Sequence, residues 1–346
     1  MARGTIRPVI TLAVAVGTMA SAVVLTSASV SAASRPSGNV AGVSSLNAIS
    51  CPIATHCLAV GADVSGNGKS AVVNTSNASA TVWAGSTRLH QWGAIACAVP
   101  ERCVAVATGV TGEVTVANGA TRVVSTLHVP SNQIAAMGAI ACPNSTSCYA
   151  VGFEGTEASS KALVAHLAST GALLGTTLEA SSSGIGAIAC PTSTRCLIAA
   201  ANRAHPEKIQ LLENGHLGPA RAIPAKTYVQ AMACDRAAAC YFLGGKTTGQ
   251  KTNLLYAISP TTGAVESEAT IGGSCSGTGI ACPNANRCLI VGFTAGGKPA
   301  VIVATHGKPG APSRVGGTGL TDIGCTASGA CFGVGQSGPI GLVERV

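Results

Sequence analysis

Residues 49 to 61 read Ile49-Ser50-Cys51-Pro52-Ile53-Ala54-Thr55-His56-Cys57-Leu58-Ala59-Val60-Gly61, and this stretch recurs with variation along the whole chain. Its cysteine pair, Cys51/Cys57, is followed by Cys97/Cys103, Cys142/Cys148, Cys190/Cys196, Cys234/Cys240, Cys282/Cys288 and Cys325/Cys331. Each pair encloses five residues, and successive pairs begin 46, 45, 48, 44, 48 and 43 residues apart. Two residues before each first cysteine stands Ile49, Ile95, Ile140, Ile188, Met232, Ile280 or Ile323. After each second cysteine comes a short apolar run, ending in most copies in glycine: Gly61, Gly152, Gly292 and Gly335 among them. Apolar runs this short, bounded by turn residues, read as buried strands. Two strands joined by five residues make a hairpin. Pro52, Pro143, Pro191 and Pro283 preset the turn and push the preceding cysteine into extended backbone.

The two cysteines therefore face each other across a hairpin mouth, where opposed Cα atoms approach to about 4.5 Å. The spacing predicts seven local disulfides, each contributing roughly 2–2.5 kcal/mol by the loop-entropy model. Free buried thiols are one other reading. A metal site is another; zinc wants two close pairs converging, whereas these pairs recur once per 45 residues or so. Cys275 is the fifteenth cysteine and falls outside the register. It reads as an exposed or half-buried thiol in the loop from Gly272 to Gly277, or as an intermolecular bridge.

The rest of each repeat holds two more strands, turning at Asn77-Ala78, Thr170-Gly171, Asn214-Gly215, Thr262-Gly263 and His306-Gly307. Four antiparallel strands in about 45 residues is the period of a propeller blade. The expected fold is all-β: a seven-bladed β-propeller of four-stranded antiparallel blades with one disulfide hairpin per blade. The last copy stops after its third strand, and Gly38 to Val43 is expected to supply the fourth and close the ring. An open solenoid is the architectural alternative.

Residues 1–32 read as a secretory signal peptide, with Arg3 and Arg7 ahead of the apolar run Val9 to Leu25 and small residues at Val30-Ser31-Ala32. Retention of that run as a membrane anchor is the second choice. A flexible linker, 33–38, leads into the propeller, 39–346. Export to an oxidising, extracellular compartment agrees with paired cysteines. The 43 glycines and 3% aromatic content mean that small residues must pack the blades, as Ala48, Ala94, Ala139, Ala187, Ala231 and Gly279 do ahead of each hairpin.

The pattern Ile-x-Cys-Pro-x-x-x-x-Cys-x-Ala-Val-Gly resembles the cysteine-hairpin repeats of exported actinobacterial β-propeller proteins, related to the broad WD40/YVTN/BNR-like group. The resemblance covers residues 39 to 346. The sialidase-like branch carries Ser-x-Asp-x-Gly-x-x-Trp hairpins; here the nearest stretch, Thr75 to Trp83, lacks the Asp and the Gly. Glycosidase activity is therefore not implied.

Acid–base work on sugars needs two carboxylates about 5–10 Å apart. The chain has three aspartates, Asp63, Asp235 and Asp322, and scattered glutamates. Asp322 occupies the slot that alanine or glycine fills in the other six copies, so it either bonds within the closing blade or faces the central channel as a cation or amine ligand. The seven histidines show no metal-ligand spacing. No cofactor is expected. The formal charge is +8, or about +6 once Arg3 and Arg7 are subtracted. Lys69, Lys161, Lys208, Lys251 and Lys298 recur just ahead of the third strand and would ring one face. Arg102, Arg195 and Arg287, with His56 in the same slot, would ring the other. Such rings either solvate loop tips or attract an anionic surface. Nucleic acid is not an expected partner for an exported chain with so few aromatics.

The expectation is a secreted, non-enzymatic binding or scaffolding module for an anionic cell-envelope component or another exported protein. The alternatives are a hydrolase or lyase with its site at the channel mouth around Asp322, and a purely structural envelope protein. Non-reducing peptide mass spectrometry will find each of the seven pairs closed within its own peptide; crossed pairs would overturn the hairpin reading.

Overall fold

The structure is a computed structural model that describes residues 37–84, 91–115, 121–126, 134–156, 160–179, 184–201, 208–224, 227–235, 239–246, 253–272, 275–284 and 286–346. Residues 1–32, read from the sequence as a signal peptide, and most of the expected linker 33–38 lie outside those residues, as does Lys251. Strands form seven antiparallel sheets, six of them meanders of consecutive strands and the seventh completed by a strand from the other end of the chain. The first six open with Ser45–Ser50, Ala94–Val99, Ile134–Ala141, Gly184–Ala189, Thr227–Asp235 and Ser276–Asn284. First strands of consecutive sheets touch, and the last, Gly319–Cys325, touches Ser45–Ser50. The sheets are thus blades of a closed seven-bladed propeller with first strands innermost.

Ring closure follows the expected logic with a shifted boundary. The outermost strand of blade 7 is Ser37–Val40, paired antiparallel with Ile340–Arg345 from Ser37↔Glu344 to Val40↔Gly341. Ser37 and Gly38, assigned to the linker by the sequence reading, already belong to the ladder. Residues 41–44 turn instead, with Gly42 at φ 79°. Gly38 is constrained by what lies beneath it: a Cβ there would stand 2.7 Å from the Ala78 carbonyl oxygen of blade 1.

All seven cysteine pairs are bridged, with Cα–Cα distances from 3.8 to 4.0 Å. In three blades the bridged residues are direct ladder partners: Cys97↔Cys103, Cys234↔Cys240 and Cys325↔Cys331. The bridges close the hairpins that the spacing predicts, and they also reach into the core. The second cysteine of every pair lies inside the protein: Cys57, Cys103, Cys148 and Cys240 are fully buried, Cys196 and Cys331 are 1% exposed and Cys288 is 3% exposed. None of these seven can serve as a surface binding residue; each is a structural residue of the core. The reason is the third strand, which covers the second. Cys148 stands opposite Leu167 and Cys196 opposite Leu212, both buried, while the neighbouring blade closes over the sheet face.

Every bridge belongs to an apolar cluster shared with the preceding blade. Cys97/Cys103 packs with Ala48, Leu58 and Val60 of blade 1, and Cys51/Cys57 with Phe332 and Val334 of blade 7. Cys142/Cys148 packs with Ala94, Val104 and Val106 of blade 2, and Cys190/Cys196 with Tyr149, Val151 and Val164 of blade 3. The sulfurs therefore do two jobs: they clasp a hairpin and fill the inter-blade core. Cys275 differs from expectation. It is 1% exposed, packed with Ile271, Leu255 and Ile280 between blades 5 and 6, so burial removes it from intermolecular pairing.

The first strands share a bulge four residues ahead of the first cysteine. One residue is extra there in six ladders: Asn47, Gly138, Gly186, Gln230, Thr278 and Thr321. The bulge explains the glycine that ends the second strand. A Cβ on Gly61, Gly152, Gly244, Gly292 or Gly335 would lie 1.8–2.3 Å from a carbonyl oxygen of its own first strand. The outer turns behave as their residues require: Asn214-Gly215 and His306-Gly307 both have two positive φ values, as type I′ hairpins demand. Gly215 and Gly307 also lie under tyrosines of the preceding blade, a Cβ meeting Tyr149 Oη at 3.3 Å and Tyr241 at 3.1 Å. Blade 6 departs from the four-strand rule. Its outer strand is split into Lys308–Pro309 and Ser313–Arg314, because Pro309 and Pro312 remove ladder donors and interrupt the edge.

Gly152→Ala is expected to destabilise the protein by about 1–3 kcal/mol or more through overpacking, read as a lower urea midpoint. Ala200→Gly, at the equivalent position of blade 4, is expected to cost at most about 1 kcal/mol.

Candidate functional site

A four-stranded meander alternates its turns between two ends, so the propeller has two distinct faces. One carries the disulfide hairpins and the third-to-fourth-strand turns. The other carries the second-to-third-strand turns and the links between blades.

The lysines gather on this second face. Lys161 and Lys208 open the third strands Lys161–Ala168 and Lys208–Glu213; Lys69 is the second residue of Gly68–Asn74, and Lys298 precedes Pro299–Thr305. Their surroundings differ. Lys69 Nζ is 3.3 Å from Asp63 Oδ2, and Asp63 itself is held by the Ser65 and Asn67 amides and the Asn67 side chain. Those bonds, with the Asn67 side chain foremost, lower the Asp63 carboxyl to about 2. Lys161 is exposed and stands opposite Glu154 in the ladder. Lys208 is half-buried between Ala200 and Ala222, and Lys298 is exposed at a turn closed by Thr294. The lysines thus share a face, with carboxylates set beside two of them.

On the disulfide face, Arg102, Arg195 and Arg287 occupy equivalent positions at the start of second strands, as does His56. Arg195 Nε is 2.6 Å from Glu213 Oε1. His56 sits 3.0 Å from the Thr55 hydroxyl. Backbone bonds tie the outer turns to the hairpin loops of the same blade, from Thr75 N–H to Thr55 O and from Asn214 N–H to Thr194 O. This face is therefore braced by hydrogen bonds as well as by sulfur.

The three aspartates lie in blades 1, 5 and 7 and do not converge. Asp235 is buried and accepts the Ala239 amide at 2.7 Å within its hairpin loop. Asp322 accepts the Ile49 amide of blade 1 at 3.0 Å, across the junction where the ring closes. Burial raises its carboxyl to about 6 against the pull of the Ile49 and Ile323 amides. The carboxyl thus takes backbone bonds from the neighbouring blade at Ile49 and from its own strand at Ile323. Among the described residues, no group of three potential metal ligands forms.

Sequence reasoning missed the bulge column. Asn47 Nδ2 donates to the Trp92 carbonyl of blade 2 at 2.8 Å, and the Thr278 hydroxyl donates to Leu320 O of blade 7 at 2.7 Å. The Thr321 hydroxyl donates to Leu46 O of blade 1 at 2.7 Å. Aligning the copies on their cysteines exposes the signal: this column holds only glycine or a hydrogen-bonding residue. In blade 3, His166 stacks on Tyr149 with centroids 4.8 Å apart, and its Nε2 is buried with no partner among the described residues.

Solved structures share this fold. The WD40 β-propeller domain of Doa1 aligns with a TM-score of 0.62 at 13% identity, covering 90% of this chain and 96% of that one. A chain described as Mitotic Checkpoint Complex aligns with a TM-score of 0.62 at 11% identity, covering 90% and 93%. No family model matches the chain, and no curated protein matches it. The likeness is one of fold: a seven-bladed propeller resembling WD40 domains.

Burial lowers the pKa of His166 below its usual 6.5. The native state then binds fewer protons than the unfolded one, so stability present above about pH 6.5 is lost as pH falls through the depressed native value. His166→Phe is expected to flatten that limb of a pH–stability curve while keeping the stack on Tyr149; an unchanged slope would show that the imidazole does not contribute to it.

Proposed function

We propose that this protein is a secreted, non-enzymatic propeller that binds or scaffolds an anionic cell-envelope component or an exported acidic protein. Lysines at equivalent blade positions on one face carry this reading. Positive charge repeated around a rigid disk attracts an extended anion at several points at once. Seven disulfides fit an oxidising compartment, where such bridges persist. The WD40-like architecture supports a binding role by analogy of fold.

Two lysines have an acidic neighbour, Asp63 for Lys69 and Glu154 for Lys161. These partners moderate the field, which favours a ligand spanning several blades over one gripping a single lysine. A channel-mouth hydrolase draws less support. Asp322 is engaged with the Ile49 amide, and Asp63 and Asp235 lie in other blades with bonds of their own.

The triple variant Lys161→Glu/Lys208→Glu/Lys298→Glu is expected to bind an insoluble cell-wall fraction roughly tenfold more weakly than wild type at low salt. Heparin–agarose serves as a defined polyanion, from which the variant is expected to elute at lower sodium chloride. Equal retention, or wild-type binding that high salt does not weaken, would overturn the lysine-face reading.

A further inference from the structure

The outer strands bring arginines to the face that carries the lysines, and they do so in one sector of the ring. In blade 4, Arg221 is exposed and stands opposite Ile209, the neighbour of Lys208. In blade 6, Arg314 stands opposite Ala300, two residues beyond Lys298, and both cations are exposed. In blade 5, between them, Lys246 ends its strand opposite Thr227, and its Nζ lies 3.2 Å from Glu268 Oε1. Among the described residues, this end of blades 4–6 thus carries five cations and one carboxylate, Glu268. The same end of blades 1 and 3 sets Lys69 and Lys161 against Asp63, Glu154 and Glu179. The positive field is therefore concentrated on one side of the ring.

Aromatic rings are distributed the other way. Trp83 of blade 1 and Phe153 of blade 3 are exposed, and they stand in the ladder opposite Ser70 and Ala162, the neighbours of Lys69 and Lys161. The described residues of blade 4 include no Phe, Tyr or Trp. In blades 5 and 6 the rings at this end are Tyr228 and Phe293, both half-buried. A Cβ on Gly245 would lie 2.7 Å from Tyr228 Oη, and one on Gly319 would lie 2.9 Å from Phe293 Cε1, so glycine lets each ring lie against the body of the protein. The cation-rich sector thus offers charge without an exposed ring on which a base or a sugar could stack.

We propose that blades 4–6 of this face dock a linear phosphate polymer without bases, which crosses from Arg221 past Lys246 to Lys298 and Arg314. The proposal rests on the lysine-face reading and narrows it to one sector and one ligand chemistry. Phosphate groups are held by point charges and by planar guanidinium forks, and this sector supplies both. A polymer meets cations on three blades at once, so modest contacts reinforce one another across the span. Lys69 and Lys161 contribute less, because a carboxylate beside each cancels its field at close range.

The test is titration of the full folded chain with long-chain inorganic polyphosphate at low salt. Arg221→Gln/Arg314→Gln is expected to raise Kd about tenfold, and Lys69→Gln/Lys161→Gln, which removes the same charge, about twofold. Lys208→Gln/Lys298→Gln is a second sector pair, expected to match the arginine pair and to decide the matter should that pair not fold. An equal or greater loss from the Lys69/Lys161 pair would overturn the sector while leaving the lysine face standing; loss from neither would overturn both. Polygalacturonate, a carboxylate glycan, is expected to bind wild type about fivefold more weakly than polyphosphate for want of an exposed ring. Equal or tighter binding of polygalacturonate would overturn the phosphate assignment, as would wild type that does not bind polyphosphate.

Discussion

Each blade lies against its neighbour through a cystine, and the rest of the architecture accommodates that fact. A propeller needs apolar bulk between blades, yet only 3% of this chain is aromatic. The bridges supply part of that bulk, each sharing an apolar cluster with the blade before it. Small residues around the sulfurs then become a requirement. Gly324 shows it at the junction of blades 7 and 1: a Cβ there would lie 3.2 Å from the sulfur of Cys51. The bridge thus acts on both states, limiting the disorder of the unfolded chain and filling space in the folded one.

The bulge on the innermost strand is the second constraint, and it propagates outward. An extra residue kinks the strand toward its partner. In five of the six bulged ladders the partner answers with glycine, four residues after the second cysteine, where a Cβ would meet a first-strand carbonyl; blade 4 carries Ala200 there. The kink also aims the extra residue at the next blade. Where that residue is Asn47, Thr278 or Thr321, it donates to a neighbouring carbonyl. Where it is Gly186, only a gap remains, with the Val229 oxygen 3.6 Å from a notional Cβ. Blades 6, 7 and 1 are therefore cross-linked by side chains where blade 4 has only a gap.

The electrostatic picture changed more than the fold did. Lysines spaced along a chain look like a uniform ring; in space, Lys69 meets Asp63 and Lys161 faces Glu154. Charge alignment along the sequence carries no information about which carboxylate folds alongside. Asp322 illustrates the same limit in reverse. Its oddity was visible as one acid in a column of alanine and glycine, but its partner, Ile49, lies 273 residues away in the chain.

Sequence alone determined the blade count, the disulfide pairing, the turn positions and the need for an N-terminal strand, because each depends on spacing and local backbone preference. Cysteines six apart on a two-strand hairpin lie within reach of each other, and the segment ahead of the first repeat pairs with the last strand. Tertiary structure decided what those elements touch: the burial of Cys275, the split edge of blade 6, the place of Cys148, Cys196 and their counterparts between blades, and the bond from Asp322 to blade 1. These are contacts between residues distant in the chain, and burial, hydrogen bonding and titration take their values from the neighbours that folding brings together.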